Sequence, residues 1–224
     1  MSGSYLVGLV GAGIGSSLTP ALHEAEADAH GLRYLYRTID IDDLGVAPED
    51  SAGLVRAARS LGFDALNITH PCKQRVFEAL DELSDDARLL DAVNTIVFRD
   101  GRAVGMNTDH TGFGASLRLG LESPALDRVV LLGTGGAGSA IAYALLNAGV
   151  RALSVFDPVR ARAEAVRATL SGAFPAATIN AIEVGDLAAA VAAADGLVNA
   201  TPVGMVGHPG MPIDGALLHT GLWV

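Results

Sequence analysis

Short apolar runs alternate with helix-length segments along the whole chain, and this alternation predicts an α/β fold. The first helix is marked at both ends, because Thr19 is predicted as its N-cap, Pro20 suits its first turn and Gly31 follows its end. In the first half of the chain the predicted elements are a strand at 5–10, a helix at 19–30, a strand at 33–41, a helix at 49–61, a strand at 64–68, a helical stretch from Pro71 to Leu80, another from Ser84, and two short strands joined by a tight turn at Asp100-Gly101.

A second set of strand–helix units follows a helix predicted over Thr111 to Gly120, which could link two domains. Its strands are predicted at 128–132, 152–156, 178–182 and 196–198, with Ala-rich helices between them, so a doubly wound parallel sheet is expected. We place the boundary near residue 108, giving domains of residues 1–107 and 108–224. The chain ends on Leu222-Trp223-Val224, an apolar triplet typical of an opening strand, so the second domain is expected to be incomplete.

Composition and charge remove several function classes. With 50% hydrophobic and 18% charged residues the chain is not a disordered one, and no apolar run reaches the roughly 18 residues of a spanning helix. The N-terminus lacks the basic region of a secretory signal, so we expect a cytoplasmic location. A net charge of −10 works against nucleic-acid binding, and the single Cys72 excludes an intrachain disulfide and argues against zinc. We therefore expect no metal, membrane or nucleic-acid partner.

The strand that ends at Leu132 runs directly into a glycine-rich turn followed by a helix. Glycines there permit the tight turn and let backbone N–H groups approach a pyrophosphate at the helix N-terminus. The next predicted strand ends at Asp157, about 20 residues downstream, where a carboxylate can bind ribose hydroxyls. The sequence therefore predicts a dinucleotide site, the alternative being a glycine turn without a ligand. Its candidate residues are Gly133, Gly135, Gly136, Ala137, Gly138 and Asp157.

Asp157 also favours NAD over NADP. The 2′-phosphate of NADP would bring about two negative charges near this carboxylate, and at about 4 Å each pair of unit charges repels by about 1 to 4 kcal/mol. Arg160 and Arg162 leave the alternative open, since either could neutralise a phosphate.

Polar residues also collect where the strands of the first half end, which is where open α/β sheets bind ligands. They are Ser17, Thr19, Asn67, Thr69, Lys73, Asn94 and Asp109. Each has a plainer reading, as a cap, a turn residue or a solvated side chain. Lys73 is nevertheless the only lysine among 15 basic residues.

Five motifs together resemble the shikimate/quinate dehydrogenase family, in the family's order and over essentially the whole chain. They are Gly11-Ala-Gly-Ile-Gly-Ser-Ser17-Leu-Thr19-Pro20-Ala-Leu-His23, Asn67-Ile-Thr69-His-Pro71-Cys-Lys73-Gln74, Ala92-Val-Asn94-Thr95, Asn107-Thr-Asp109 with Gly112-Phe113-Gly114, and Asn199-Ala-Thr201-Pro202-Val-Gly204-Met205. The resemblance implies an N-terminal substrate-binding domain, a C-terminal Rossmann-type domain, and a polyhydroxy cyclohexane or cyclohexene carboxylate as substrate. An oligomer is possible.

The resemblance also implies residue roles. Ser17 and Thr19 would hold the substrate carboxylate with help from Thr69, while Lys73, Asn94 and Asp109 would contact ring hydroxyls. Asn67 belongs to the same substrate-binding set. Cofactor contacts would come from Gly136, Ala137, Asp157, Arg162, Thr201, Pro202, Val203, Gly204, Met205 and Pro212.

Two departures refine the resemblance towards NAD-dependent members that use quinate. Asp157-Pro158-Val159 stands where NADP-using members typically carry Asn-Arg-Thr, and Thr19 stands where biosynthetic enzymes commonly have Ser. The leading hypothesis is an oxidoreductase that passes hydride between NAD and the C3 carbon of quinate or shikimate, giving the 3-dehydro compound. The alternatives are an NADP-dependent biosynthetic shikimate dehydrogenase and a non-catalytic nucleotide-binding homologue.

Oxidising a ring alcohol requires a proton acceptor beside the hydroxyl, and Lys73 and Asp109 are the candidates. Lys73 is expected in the first turn of a helix, whose positive end favours the neutral amine, whereas a nearby Asp109 favours the ammonium. The sequence leaves this balance open, so the two are expected to work as a pair.

Overall fold

The computed structural model describes residues 3–205 and 207–224, which divide into two compact units, Met1–Thr108 and Asp109–Val224. The first unit contains strands β1 to β6 and helices α1 to α4. Their bounds are β1 Ser4–Gly11, α1 Thr19–Ala29, β2 Arg33–Asp40, α2 Ile41–Leu44, α3 Ser51–Ser60, β3 Ala65–Ile68, β4 Glu82–Leu83, α4 Asp85–Leu90, β5 Thr95–Arg99 and β6 Arg102–Met106.

The six strands of the first unit form one mixed sheet in the order β2-β1-β3-β5-β6-β4. β1 runs parallel to β2 and β3, whereas β5 is antiparallel to both β3 and β6. The register pairs Asn67 with Thr95, and Thr95 with Met106. The ends of β1, β3 and β6 and the start of β5 therefore meet at one edge of the sheet, which is where the polar motifs lie.

The core of the first unit lies between this sheet and helix α3. Val10, Leu66 and Ile96 from three strands are fully buried, and Ala52 and Val55 on α3 pack into the same cluster. Small alanines on α3 let the helix lie close to the sheet, and burying this apolar surface is the main favourable contribution to folding. The sheet edge that carries the polar motifs is thereby held on a rigid support.

The start of the first helix differs from the sequence prediction. Thr19 is the first residue of α1, Leu18 is the N-cap, and no side chain caps the helix by a hydrogen bond. The prediction of Thr19 as N-cap is wrong because the backbone already turns helical at Leu18, with φ −80° and ψ −8°. The Thr19 hydroxyl instead lies beside the hydroxyl of Ser17.

The stretch from Pro71 to Leu80 is not the predicted helix but two short 3₁₀ turns, Cys72–Gln74 and Phe77–Ala79. Buried Cys72, Val76 and Ala79 imitate a helical period in the sequence. A continuous α-helix would use the Lys73 carbonyl four residues on, but that carbonyl accepts instead from the N–H of Val93 at 3.0 Å. The chain therefore tightens locally and then joins the sheet as β4.

The second unit is a parallel sheet with helices, as predicted. Its strands lie in the order β10-β7-β8-β9, and all three pairings are parallel. The elements are α5 Asp109–Gly120, β7 Arg128–Leu132, α6 Gly136–Asn147, β8 Ala152–Phe156, α7 Arg160–Ala173, β9 Thr178–Ala181, α8 Leu187–Ala192 and β10 Gly196–Asn199. Trp223 forms a parallel bridge with Gly196 beyond β10, and its indole N–H donates to the Ala125 carbonyl at 2.8 Å.

Across residues 3–205 and 207–224, each helix is too short or too polar to cross a lipid bilayer.

Candidate active site

Two hydroxyl groups lie side by side at the start of α1. The Ser17 hydroxyl donates to Thr19 Oγ1 at 3.1 Å, and the Thr19 N–H donates to Ser17 Oγ at 3.2 Å. Both residues are only partly buried. Because hydroxyl hydrogens rotate, both groups can donate to a bound carboxylate, whose oxygens only accept.

The loop that carries Ser17 is fastened by Asp40, at the end of β2. Its carboxylate accepts from the N–H groups of Gly13 at 3.1 Å, Ile14 at 2.7 Å and Asp42 at 3.1 Å. The Ser17 N–H then donates to the Ile14 carbonyl at 3.0 Å. Asp40 therefore sets the position of Ser17 through the backbone of the loop.

These contacts shift the acidity of Asp40. Partial burial raises the pKa of the Asp40 carboxyl, but the hydrogen bonds from Ile14, Asp42 and Gly13 outweigh it, so the pKa lies below its ordinary value. Because the pKa of Asp40 is lowered in the folded state, its hydrogen bonds stabilise the fold fully above the ordinary carboxyl pKa. This contribution to the free energy of unfolding is lost as the pH falls through the folded-state pKa.

We expect Asp40→Asn to lower the free energy of unfolding at neutral pH and to raise the Michaelis constant for the substrate several-fold, because the loop loses its charged acceptor. The difference in unfolding free energy between wild type and variant should shrink as the pH falls below the ordinary carboxyl pKa. Urea unfolding across a pH series measures it. Asp43→Asn, an exposed carboxylate on the neighbouring turn, is the matched control. A difference that persists unchanged in acid would contradict the assignment.

Thr69 lies against the start of the same loop. A Cβ placed on Gly11 would be 2.3 Å from Thr69 Cγ2 and 3.0 Å from the His70 carbonyl oxygen. The Ala12 N–H also donates to the His70 carbonyl at 3.0 Å. A side chain at position 11 would prevent this close approach, which brings the Thr69 motif against the loop that carries Ser17.

The two predicted asparagines are joined through Thr95. The Asn67 Nδ2 group donates to Thr95 Oγ1 at 3.2 Å, and that hydroxyl donates to Asn94 Oδ1 at 2.9 Å. Asn94, only 9% exposed, also accepts from the Thr108 N–H at 2.8 Å. These contacts fix the orientation of both amides, which can then donate to or accept from ring hydroxyls.

Lys73 lies at the same edge of the sheet, half-buried in the 3₁₀ turn Cys72–Gln74. The turn follows β3, and the Val93 N–H donates to the Lys73 carbonyl, so the Lys73 backbone lies beside the residue that precedes Asn94. The expected helix N-terminus, which would favour a neutral amine, is absent from this place because the turn has only three residues. Asp109 begins α5 in the second unit.

The glycine-rich turn of the second unit has the geometry of a nucleotide cradle. Gly133 has φ +88°, a conformation that side chains disfavour, and α6 begins at Gly136 with Gly135 as its N-cap. A Cβ on Gly138 would be 2.0 Å from the Gly133 carbonyl oxygen, whereas one on Gly135 would meet nothing within 4 Å. The turn is thus tightly closed on the protein side and open at Gly135, where a pyrophosphate can approach backbone N–H groups. The residues fit a dinucleotide.

Asp157 is held more tightly than the sequence suggested. It is 8% exposed, and its Oδ2 accepts from the Thr134 N–H at 2.9 Å and the Thr134 hydroxyl at 3.1 Å. Its Oδ1 accepts from the Val159 N–H at 2.9 Å. Asp157 therefore ties the glycine turn to the end of β8. A carboxylate offers about four acceptor positions, so a ribose hydroxyl can still bind.

The two arginines near Asp157 differ. Arg160 pairs with Glu183 and with Glu164, the latter at 3.3 Å, so its charge is already compensated. Arg162 is exposed and forms no ion pair with a carboxylate among residues 3–205 and 207–224. Of the two, Arg162 is the side chain able to turn towards a ligand.

The segment after β10 packs onto the glycine turn. Asn199 Oδ1 accepts from the Thr201 N–H at 2.9 Å and the Thr201 hydroxyl at 2.6 Å, and its amide donates to the Val203 carbonyl at 3.2 Å. A Cβ on Gly133 would be 3.0 Å from Thr201 Cγ2. Pro202, Gly204 and the 63% exposed Met205 continue this loop. Pro212 lies further along, before the turn Gly215–Leu217.

Four residues that organise the site were not among the predicted site residues: Tyr36, Asp40, Thr134 and Thr95, the last quoted above only as part of a motif. Asp40 follows the same rule as the others, a polar residue at a strand end, and could have been found by it. Tyr36, Thr95 and Thr134 act on other side chains across the sheet, and a single sequence carries no signal for such pairs.

Comparison with known proteins agrees with this geometry. The family model of the shikimate dehydrogenase substrate binding domain matches residues 9–96. A shikimate dehydrogenase (NADP(+)) of Pseudarthrobacter chlorophenolicus is 57% identical over 99% of this chain and 75% of its own length. A quinate/shikimate dehydrogenase (NAD(+)) of Corynebacterium glutamicum is 44% identical over 100% of this chain and 80% of its own. The solved quinate dehydrogenase from Corynebacterium glutamicum in complex with NAD covers 98% of this chain and 78% of its own with a TM-score of 0.91 at 44% identity.

Two α/β units, one with a polar strand edge and one with a glycine-turn nucleotide cradle, define a pyridine-nucleotide oxidoreductase. The chain belongs to the shikimate/quinate dehydrogenase family. The family resemblance and the α/β fold inferred from the sequence are thereby confirmed. The relatives divide between NADP and NAD, so the comparisons establish the class of cofactor and not the individual nucleotide.

Proposed function

We propose that this protein transfers hydride between NAD and the C3 carbon of quinate or shikimate. The observation that carries the proposal is the composition of one sheet edge, where the Ser17–Thr19 hydroxyl pair lies at one side and the Asn67–Asn94 amide network at the other. A ring with a carboxylate at one end and hydroxyls at the other matches this arrangement.

Hydride transfer to the nucleotide needs the hydroxyl proton to leave at the same time. We assign Lys73 as the group that takes this proton from the C3 hydroxyl and Asp109 as its partner, in keeping with the family resemblance. The bound nicotinamide supplies the hydride acceptor. Ser17 and Thr19 hold the carboxylate so that the C3 hydroxyl, and no other, faces Lys73.

NAD is the proposed nucleotide because Asp157 sits fixed and nearly buried at the end of β8, so its charge cannot swing away from a 2′-phosphate. Catalytic efficiency should be at least about tenfold higher with NAD than with NADP. Steady-state rates with both nucleotides and with both quinate and shikimate test this. Absence of turnover with every combination would contradict the function.

NADP is the second candidate, and a specific observation favours it: Arg162 is exposed and lacks an acidic partner in the described chain, so it can neutralise a phosphate. Asp157→Ser should narrow the preference for NAD, whereas Arg162→Ala should leave it unchanged if NAD is the natural nucleotide. Equal or better use of NADP by the wild type, abolished by Arg162→Ala, would establish the second candidate.

We expect Ser17→Ala and Thr19→Ala to raise the Michaelis constant of the substrate, each by about tenfold or more, because a hydroxyl that donates to a carboxylate contributes about 1.5 to 3 kcal/mol. Turnover at saturating substrate should change little. Ser16→Ala, an exposed neighbour in the same loop, is the matched control. A collapse of turnover at unchanged Michaelis constant would contradict their assignment as carboxylate ligands.

A further inference from the structure

Tyr36 lies on β2 and contacts Asn67, one of the proposed substrate-binding residues of the first unit. It is 6% exposed, and its hydroxyl donates to Asn67 Oδ1 at 2.6 Å. Burial, and after it the neighbouring Tyr34, raises the pKa of the Tyr36 hydroxyl well above its usual value. The Tyr36 hydroxyl therefore stays protonated and able to donate at every pH near neutrality.

This donor gives a direction to the amide network. Because Asn67 Oδ1 receives the Tyr36 proton, the other end of the amide, Nδ2, must point to Thr95 Oγ1, which it meets at 3.2 Å. The Thr95 hydroxyl then has its own hydrogen to give to Asn94 Oδ1 at 2.9 Å. Reversing the Asn67 amide would place its NH₂ group against the Tyr36 hydroxyl and break this chain of hydrogen bonds.

Tyr36 also contacts the helix that begins with Thr19. The His23 ring lies 4.9 Å from the Tyr36 ring, and the Glu24 carboxylate accepts from the Tyr36 N–H at 3.1 Å. One residue thus touches both α1, which carries the hydroxyl pair at its start, and the amide network at β3. Tyr36 therefore links the two halves of the proposed substrate site.

We infer that Tyr36 is a positioning residue for substrate binding, which orients the Asn67 amide and, through it, the Thr95 hydroxyl that donates to Asn94. The inference rests on the proposed function, since it needs a substrate that contacts the Asn67 and Asn94 amides. Tyr36 acts through Asn67 and is not itself assigned to the substrate.

The chain provides a matched pair of variants. Tyr36→Phe removes one hydroxyl and keeps the ring against His23, whereas Tyr34→Phe makes the same change two residues away in the same ring cluster, with the Tyr34 and Tyr36 rings 6.3 Å apart. The measurements are the dissociation constants of shikimate and quinate by calorimetry, the Kd of NAD, and the melting temperature.

Tyr36→Phe should weaken shikimate binding by about five- to fiftyfold, as expected when a buried hydrogen-bond acceptor loses its donor, and Tyr34→Phe by less than about twofold. NAD binding should be unchanged in both, because the nucleotide cradle belongs to the other unit. Thr95→Val breaks the next link, and the double variant Tyr36→Phe/Thr95→Val should lose less than the product of the two single losses.

Equal substrate affinity in Tyr36→Phe and Tyr34→Phe, or a multiplicative double variant, would overturn the inference while leaving the proposed function in place. A parallel loss of NAD affinity and melting temperature in Tyr36→Phe would also overturn it, since that indicates general damage. A wild-type protein that binds neither shikimate nor quinate would instead overturn the proposed function.

Discussion

Replacing Lys73 with alanine should lower turnover by about 10² to 10⁴-fold, the usual contribution of a general acid or base. The Kd of NAD should not change, because the glycine turn lies in a separate unit of the chain. Stopped-flow or steady-state rates, together with calorimetry for the nucleotide, measure the two effects on one sample.

Arg75→Ala is the matched control, since it removes a neighbouring exposed cation from the same segment. Asp109→Asn removes the proposed partner charge while keeping the shape of the side chain. This variant should lower the turnover rate and also shift its pH profile. A loss below about tenfold in Lys73→Ala would mean that Lys73 only positions the substrate or lies outside the site. Unchanged rates in both variants would place the chemistry elsewhere.

Adding one methyl group at Gly138 should damage the nucleotide cradle severely. The new Cβ would lie 2.0 Å from the Gly133 carbonyl oxygen and 2.7 Å from the Gly133 carbonyl carbon, both of them backbone atoms that cannot move aside without opening the turn. Overpacking typically costs about 1 to 3 kcal/mol and occasionally more, and a clash with backbone belongs at the upper end. Nucleotide affinity should fall by at least about tenfold.

Urea unfolding and nucleotide calorimetry on Gly138→Ala measure both effects. Gly172→Ala is the matched control, because Gly172 is a helical glycine on α7, and a methyl group added to it would meet nothing within 4 Å. That variant should be stabilised by about 0.4 to 1 kcal/mol and bind the nucleotide normally. Wild-type nucleotide affinity in Gly138→Ala would show that the turn does not hold the cofactor as assigned.

Local signals made most of the fold predictable. Alternating apolar runs placed the strands, and Gly31, with φ +66°, follows the end of the first helix where it was expected. The glycine turn was readable because its function needs particular residues in an unbroken stretch between a strand and a helix. The same holds for the polar residues that follow β1 and β3.

The wrong helix and the missed partners came from contacts between residues far apart in the chain, whereas the error at Thr19 was local, since the backbone already turns helical at Leu18. The Val93 N–H donates to the Lys73 carbonyl, which is then not used by a helix over 71–80, although the apolar residues there have helical spacing. The hydroxyls of Thr134 and Tyr36 likewise bond to residues of other strands. Thr134 and Asp157 follow the neighbouring strands β7 and β8, whereas Tyr36 on β2 and Asn67 on β3 are separated in the sheet by β1. A pattern within one segment cannot predict a hydrogen bond whose second member lies elsewhere.

The central claim is that hydride passes from C3 of the substrate ring to NAD, and isotope transfer tests it directly. Quinate and shikimate that carry deuterium at C3 would be incubated with the protein and NAD, and the reduced nucleotide analysed by mass spectrometry. We predict NADH that contains the deuterium and a 3-dehydro product that has lost it. Reduced nucleotide without the label, or no reduced nucleotide with either substrate, would contradict the claim.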